Sequence, residues 1–494
     1  MKTVLLLPFL AATALAQSGP PATPENVARA MAATPAPATG PVTATWESVA
    51  ANYHTPLWWR DAKFGIMMHW GLYAVPAHGS EWYALHMYNN PGIAQWHREH
   101  WGPQDTFGYK DFIPLFTAAK FDPDEWAELF RSAGAKFVVP TAEHHDGFAL
   151  WNSATNPYNA AAMGPHRDLI ADLGAAVRRQ GLKFGVSDHS IEHFTFIREA
   201  AAPVNDLRDP HWADFYSVRD RDKPEALEHF LSAWVTKQFE LIDKYQPDIL
   251  WYDNGVNGRA FDPMKLAVAQ HYYNRAREWK KDVSFSSKGG VGADAAFLSG
   301  TLTDFERMSR APKELTDFVW QVDEPVLYRF GYTENNPTPI ATSGRLISSL
   351  VNNVAKNGGL LLNISPRADG TIPDDQRQLL HEIGSWLHVN GEAIYGTRPW
   401  TTSGEGRDIR FTTAGDTLYA LFMAWPVGDA VIAALAKGVG PAGTVEHVTL
   451  LGGPAELTFK QDAAGLHLTF PSEKSAGPVF AVRITGLHLN QKSE

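Results

Sequence analysis

The sequence has no cysteine among its 494 residues. Disulfide bonds, thiol nucleophiles, cysteine-ligated zinc and lipid-modified cysteine are therefore excluded, and the core alone must hold the fold together. Basic residues are also scarce, with 43 Lys and Arg against 54 Asp and Glu and a formal net charge of −11. Nucleic acids and anionic membranes attract basic patches, so neither is expected as a partner. The length allows two or three domains.

The sequence also lacks an apolar run long enough to span a membrane. Its N-terminal run "VLLLPFLAATALA" follows Lys2 and ends in small residues before Gln17, which is typical of a signal peptide over 1–16. A single anchoring helix is the alternative interpretation. The signal peptide predicts a secreted or periplasmic protein. Residues 17–44 are rich in Pro, Ala and Thr and predict a flexible leader, with at most a short helix over 24–32.

Short apolar runs alternate with amphipathic stretches between residues 45 and 395. This alternation is typical of parallel β/α architecture, and eight runs predict a (β/α)8 barrel. An open doubly wound sheet is the alternative, but no glycine-rich phosphate-binding motif follows the first run. The runs are "AKFGIMMHWG", "KFVVPTAEHHDG", "LKFGVSDHS", "PDILWYDNG", "DVSFSSK", "TDFERM", "FVWQVDE" and "GLLLNISP".

The pattern changes in the last hundred residues. Residues 396–494 form short strand-like segments separated by Gly, Asp and Pro, with little helical periodicity. This pattern predicts a small C-terminal antiparallel β-sandwich.

Nearly every predicted barrel strand ends in polar or ionisable side chains. In a parallel barrel these ends meet at one face, so the residues together predict a deep polar pocket there. In chain order they are His69, His144, His145, Asp146, Asp188, His189, Asp253, Lys288, Glu306, Gln321, Asp323 and Asn363. The 17 Trp, with the loop motifs "EWY" at 81–83 and "FGY" at 330–332, provide rings on which a sugar can pack.

Two acids at these strand ends predict glycoside hydrolysis. Asp253 follows the apolar run "DILWY", and Glu306 lies within the strand-like segment "TDFERM". One carboxylate can attack the anomeric carbon while the other protonates the leaving oxygen. The alternatives are a helix cap or turn for Asp253 and a structural ion pair for Glu306.

The tandem histidines raise the question of a metal site. Adjacent residues of a strand point to opposite sides, so His144 and His145 are poorly placed to chelate one ion together. The sequence has no H-E-x-x-H motif. A metal-dependent hydrolase using His69, His144 and Asp146 stays open as an alternative.

Several motifs together resemble the α-L-fucosidases of glycoside hydrolase family 29. They run from about 57 to 400 and include "FGIMMHWGLYAVPA", "FVVPTAEHHDGFALWNS", "PDILWYDNG" and "NGGLLLNISPRADGTIP". The resemblance implies a barrel followed by a β-sandwich. It also implies a retaining exo-hydrolase that removes terminal α-L-fucose from fucosylated oligosaccharides or glycoconjugates, without metal or organic cofactor. A homo-oligomer is compatible with it.

The resemblance also implies roles for individual residues. Asp253 is similar to the nucleophile and Glu306 to the general acid/base, with Asp323 and Glu324 as substitutes for the latter. The implied contacts to fucose are His69, Glu81, Trp82, His144, His145, Trp251, Lys288 and Phe330, of which Trp251 and Phe330 would face the methyl group.

This sequence departs from the family pattern at two strand ends. Lys288 stands where many relatives have Arg, and a point charge replaces a bidentate fork. Asp188 and His189 stand where many relatives have tyrosines, so their roles stay open. A non-catalytic fucose-binding protein on the same barrel is the remaining alternative function.

Overall fold

The computed structural model describes residues 20–197, 204–253, 255–288, 295–334, 339–438, 442–453 and 456–489. The predicted signal peptide, 1–16, lies outside these ranges. None of the helices within them combines the length and apolarity needed to cross a membrane.

Eight parallel strands close into a barrel in the order of the chain, with β8 pairing back onto β1. Each predicted apolar run forms one strand, which confirms the barrel and excludes the open sheet. The strands are β1 (Phe64–Met68), β2 (Phe137–Glu143), β3 (Lys183–Asp188), β4 (Ile249–Tyr252), β5 (Ser284–Lys288), β6 (Leu302–Glu306), β7 (Trp320–Pro325) and β8 (Gly358–Ile364).

Helices cover the outside of the barrel. In the described residues that join β5 to β6 and β6 to β7 there is no α-helix, and a 3-10 turn over Met308–Arg310 follows β6. The helices are α1 (Pro24–Ala32), α2 (Trp46–Asn52), α3 (Leu57–Ala62), α4 (Tyr83–Asn89), α5 (Pro91–His100), α6 (Pro123–Ser132), α7 (Leu169–Arg179), α8 (His193–Phe196), α9 (Pro224–Tyr245), α10 (Asp262–Glu278), α11 (Ser343–Val354) and α12 (Asp374–Asn390).

The barrel interior has an apolar layer beneath the polar strand ends. Inward residues of several strands form it, among them Met67, Val139, Ile249, Trp251 and Leu361. Such a filled interior is typical of eight-stranded barrels and leaves only the carboxyl-terminal mouth for ligands. The polar residues at the ends of β1 to β8 therefore lie directly above a packed apolar layer.

The described part of the predicted flexible leader packs against the barrel. Thr23 caps the N-terminus of α1, and the helix matches the short one expected over 24–32. Further along, the Asn274 side chain of α10 accepts a hydrogen bond from Val42 N (3.1 Å) and donates to the carbonyl oxygens of Val42 and Ala38 (both 2.9 Å). We call residues 33–44 the strap. The backbone groups of the strap need hydrogen-bond partners, and a side chain of α10 provides them.

A C-terminal antiparallel domain follows the barrel, as expected. It consists of a five-stranded sheet in the order β13-β16-β11-β10-β9 and a three-stranded sheet in the order β12-β15-β14. An apolar core lies between them. The strands are β9 (Arg398–Glu405), β10 (Ile409–Ala414), β11 (Thr417–Phe422), β12 (Asp429–Ile432), β13 (Ala442–Leu450), β14 (Thr458–Asp462), β15 (Gly465–Thr469) and β16 (Phe480–His488).

Candidate active site

Asp253 follows β4 and lies at the centre of a charged cluster. Its Oδ1 is 3.1 Å from Lys288 Nζ, and its Oδ2 is 2.9 Å from His189 Nδ1 and 3.6 Å from His145 Nε2. Burial alone would raise the pKa of this carboxyl, but Lys288 and the hydrogen bond from His189 outweigh it and hold the pKa well below the usual range. Asp253 is therefore an anion at neutral pH, as attack on carbon requires.

Lys288, at the end of β5, connects three acids. Its Nζ lies 3.1 Å from Asp253, 3.2 Å from Asp323 Oδ2 and 3.8 Å from Glu306 Oε2. Burial would lower the pKa of the ammonium, but Asp253 and the other acids raise it above its usual value. The ammonium also lies 5.2 Å from the ring of Trp251 and 5.0 Å from that of Phe330. The cation predicted at this strand end is thus placed between the two candidate catalytic acids.

Glu306 ends β6 and is the more accessible of these two acids. Its side chain is 24% exposed, against 12% for Asp253, and its other cationic neighbours are Arg307 (3.8 Å) and Arg310 (3.7 Å). Because both acids contact Lys288 Nζ, their nearest oxygens are no further apart than the sum of the two distances, about 6.9 Å. That limit is compatible with the roughly 5–5.5 Å separation of the carboxyl groups in retaining glycosidases.

Asp323 and Glu324, the alternative candidates for the general acid/base, lie on opposite faces of β7, as strand alternation requires. Asp323 points inward, is fully buried, and its backbone N–H donates to Asp304 Oδ1 at 3.2 Å. Burial raises its pKa well above the usual range. Glu324 points outward, where it pairs with Arg345 at 2.8 Å and accepts a hydrogen bond from Met308 N at 2.8 Å. Neither has the accessible position of Glu306.

His69 and His144 are buried and uncharged. Burial lowers the pKa of each well below its usual value. Asn363 Oδ1 lies 2.7 Å from His69 Nδ1, and the Asn363 amide donates to Phe330 O at 2.8 Å. Asn363 Oδ1 is therefore the acceptor, so His69 carries its proton on Nδ1 and presents an unprotonated Nε2. His144 Nδ1 has no hydrogen-bond partner among the described residues.

A register shift places both tandem histidines at the pocket. The pairing of β2 with β3 is irregular between Thr141 and Glu143, and Gly147 follows with φ of 78°. His193 Nδ1 then donates to His145 O, and His145 Nδ1 donates to His189 O, both at 2.8 Å. The rings of His144 and His145 lie 4.3 Å apart as a result. The strict alternation expected of an extended strand does not apply here.

Glu81, predicted as a fucose contact, also supports the opposite wall of the pocket. Its Oε2 accepts hydrogen bonds from Phe330 N at 3.1 Å and Gly331 N at 3.0 Å. Phe330 packs 4.9 Å from the ring of His69, and Trp82 lies edge-on to His145 at 5.8 Å. The structure therefore brings the predicted binding residues to one mouth of the barrel, with Trp251 in the apolar layer directly beneath the others.

Three acids beside the predicted site residues point away from the pocket. Tyr109 donates to Asp146 at 2.6 Å, and burial raises the pKa of Asp146 to about 6. Glu143 pairs with Lys237 at 2.5 Å. Asp188 accepts from Ser190 Oγ at 3.0 Å and from Trp234 Nε1 at 3.2 Å. They support the strand ends of β2 and β3.

Two groups of described residues have a spacing that could hold a metal ion. They are His69, His144 and His189, and His145, His189 and Asp253, with ligand atoms within 4.8 Å of one another in each group. His189 belongs to both, yet its two ring nitrogens already contact Asp253 and Ser187 Oγ. Asp146, the acid of the metal alternative, belongs to neither. The arrangement fits a hydrogen-bonding pocket better than a chelate.

Sequence reasoning missed Asp304 and the contact of His189 with Asp253. Asp304 Oδ2 accepts hydrogen bonds from Trp251 Nε1 at 2.8 Å and Gln321 Nε2 at 2.5 Å. The alternation of side chains along a strand could have identified Asp304, because it lies two residues before Glu306 and so faces the same side of β6. The contact of His189 joins two strand ends 64 residues apart, and no local pattern indicates it.

Comparison with known proteins agrees with this geometry. The α-L-fucosidase family model matches residues 29–392, and the α-L-fucosidase C-terminal domain model matches residues 405–485. The tissue α-L-fucosidase of Rattus norvegicus is 32% identical over 445 residues, covering 87% of this chain and 88% of that protein. The plasma α-L-fucosidase of Homo sapiens is 32% identical over 425 residues, covering 83% and 84%.

A solved structure shares the same architecture. It is the crystal structure of Thermotoga maritima α-fucosidase in complex with fucose, which is 31% identical and superposes with a TM-score of 0.72. The match covers 90% of this chain and 100% of that one. With a family model spanning the barrel and relatives matching along most of their length, the chain belongs to the α-L-fucosidases of glycoside hydrolase family 29.

Proposed function

We propose that this enzyme is a retaining, exo-acting α-L-fucosidase that releases terminal α-L-fucose from fucosylated glycans through a covalent intermediate on Asp253. The observation that carries the proposal is the pair of acids on either side of Lys288 Nζ, with Asp253 anionic and Glu306 accessible. In the first step an Asp253 oxygen bonds to C1 while the C1–O bond to the aglycone breaks, and Glu306 gives its proton to the departing oxygen. In the second step Glu306 takes a proton from water, whose oxygen displaces Asp253.

The difference in exposure between the acids supports this division of work. The nucleophile must stay ionised, and Lys288 and His189 keep Asp253 so. The acid/base must exchange protons with water once in each cycle, and the side chain of Glu306 is twice as exposed as that of Asp253. Asp323 is fully buried, and Glu324 lies on the outer face with Arg345.

The buried histidines suit the hydroxyl groups of one sugar. A neutral imidazole with one nitrogen fixed offers the other as a single donor or acceptor, so His69 Nε2 can accept a hydrogen bond from a sugar hydroxyl. Trp251 and Phe330 offer apolar rings to the C6 methyl group, and Lys288 adds a fixed cation between them. Glu81, Trp82, His144 and His145 complete the pocket. A floor closed by apolar side chains limits the substrate to the end of a glycan, which is exo action.

The proposed setting is outside the cytoplasm. The N-terminal run of the sequence has the features of a signal peptide, and one relative is a plasma enzyme. Fucosylated glycoconjugates of that environment are the proposed partners.

The nucleophile is tested with Asp253→Ala and an aryl α-L-fucoside. Hydrolysis should fall by at least about a thousandfold, and azide should restore turnover by attacking C1 from the vacated side to give the inverted fucosyl azide. Glu324→Gln, which changes an acid outside the pocket, serves as the control and should keep its activity. Full activity in Asp253→Ala would show that Asp253 is not the nucleophile.

The acid/base is tested with Glu306→Ala and two substrates. The variant should lose about 10²–10⁴-fold in kcat/KM toward a fucosylated oligosaccharide and much less toward α-L-fucosyl fluoride, because kcat/KM reports the first step and fluoride departs without a proton. An equal loss toward both substrates would assign Glu306 a different role.

Dialysis of the wild-type enzyme against a chelator should leave kcat/KM unchanged, and a metal-dependent hydrolase would lose activity under this treatment. The absence of any turnover would favour the non-catalytic binding protein.

A further inference from the structure

His189 ends the β3 region and makes the shortest contact that Asp253 has. Its Nδ1 lies 2.9 Å from Asp253 Oδ2, and its side chain is fully buried. The backbone of His189 is fixed on both sides, because its N–H donates to Glu143 O at 3.0 Å and its carbonyl accepts from His145 Nδ1 at 2.8 Å. The imidazole therefore approaches Asp253 from a rigid support.

The hydrogen bonds of His189 determine which nitrogen carries its proton. An ionised Asp253 can only accept a hydrogen bond, so Nδ1 must be the donor. On the other side of the ring, Ser187 Oγ lies 3.2 Å from Nε2, which is left as the acceptor of this contact. Burial lowers the pKa of His189, which keeps the ring neutral. The result is a single uncharged donor, directed at one oxygen of the carboxylate.

The two oxygens of Asp253 are consequently not equivalent. Oδ2 holds the hydrogen bond from His189, whereas Oδ1 has the Lys288 ammonium at 3.1 Å without hydrogen-bond geometry. Oδ1 is itself buried and has no hydrogen-bond partner among the described residues. A neutral donor such as His189 can bind Oδ2 in the free carboxylate and in the ester that forms from it.

We propose that His189 is a positioning residue that holds Asp253 Oδ2 and thereby fixes the orientation of this carboxylate for attack on C1. The proposal rests on Asp253 being the nucleophile. In the glycosylation step a bond forms between an Asp253 oxygen and C1, and the C1–O bond to the aglycone breaks. The proton of Glu306 goes to the departing oxygen, and the proton on His189 Nδ1 stays where it is. His189 acts through the orientation of Asp253, without a proton transfer of its own.

A matched pair of amide substitutions tests this role. In His189→Asn the amide group occupies the position of Nδ1 and can donate to Asp253, whereas in His189→Gln it lies nearer the position of Nε2. We expect His189→Asn to retain kcat within about tenfold of wild type. His189→Gln and His189→Phe should lose about 10–150-fold in kcat, the range of one hydrogen bond to a charged group, with KM changed less than threefold. Thermal unfolding of each variant shows whether it is folded.

The outcomes separate this proposal from a structural role and from the proposed function. Equal kcat losses in the Asn and Gln variants, or wild-type kcat in folded His189→Gln, would overturn it. Ser187→Ala removes the hydroxyl beside His189 Nε2 and should lower kcat about threefold to tenfold by loosening the hold on the ring, and an unchanged kcat would count against the assignment. Labelling wild-type enzyme with 2-deoxy-2-fluoro-fucosyl fluoride tests Asp253 alone. If the label is found on another residue, the proposed function fails whatever the His189 variants do.

Discussion

Trp251 donates its indole N–H to Asp304 Oδ2 across 2.8 Å inside the barrel. The same oxygen accepts from Gln321 Nε2 at 2.5 Å, and Asp304 Oδ1 accepts from Asp323 N at 3.2 Å. One buried carboxylate thus satisfies three donors from β4 and β7. Since Trp251 packs against Lys288 and His189, Asp304 fixes a wall of the pocket without reaching the substrate.

Replacing Asp304 with Asn should disturb that wall. An amide has one accepting oxygen, so its NH₂ group must face at least one of the three donors. We expect Asp304→Asn to lower the free energy of unfolding by about 1–3 kcal/mol and kcat/KM by roughly tenfold. Urea unfolding and aryl fucoside kinetics measure the two effects, with the exposed Asp317→Asn as a control. Wild-type values for both would show that the carboxylate is dispensable.

Glu81 should affect substrate affinity through the segment after β7. Glu81→Ala removes the acceptor of the Phe330 and Gly331 N–H groups, so Phe330 should shift away from His69 and Lys288. We expect KM to rise at least about tenfold, from the loss of charge-assisted hydrogen bonds. Glu81→Gln retains an accepting oxygen and should show a smaller rise. A KM unchanged in Glu81→Ala would contradict this support role.

Asp146 should make stability depend on pH. Its pKa is raised to about 6 by burial, from 3.8 in a model peptide, so the folded protein retains this proton to higher pH than the unfolded chain does. Stability from this group therefore falls as pH rises from about 4 to about 6, by at most about 3 kcal/mol, and is constant above that. Asp146→Asn can still accept from Tyr109 and should flatten this part of the curve. Urea unfolding midpoints at pH 4.5 and 6.5 measure the effect. The same change in midpoint between the two pH values in wild type and Asp146→Asn would contradict the prediction.

Local patterns were sufficient to predict the barrel and most of the pocket. Apolar runs ending in polar residues identify the eight strands, and the geometry of parallel strands places those ends together. Distances between strand ends were not predictable. That Lys288 contacts three acids, or that His189 contacts Asp253, depends on strand stagger and rotamers, which no single segment encodes. The register shift in β2 likewise depends on its pairing with β3.

The strap should contribute measurably to stability. Asn274→Ala leaves the N–H and carbonyl oxygen of Val42 without their partner on α10 and removes one of the two donors to Ala38 O, and buried unpaired polar groups are costly. We expect a loss of about 1–3 kcal/mol in the free energy of unfolding. Limited proteolysis should cut within residues 33–44 faster in the variant, with the exposed Asp317→Ala as a control. Equal cleavage rates would restore the interpretation of this segment as a flexible leader.

Asn274 follows Val42 by 232 residues, and this separation determines when the strap can dock. A growing chain emerges from the ribosome N-terminus first, at roughly 5–20 residues per second, so the strap would wait roughly 10–50 s for α10 to be made. During that interval its backbone is accessible to proteases and chaperones. The strap can therefore dock only after α10 has been synthesised, more than two hundred residues after the strap itself.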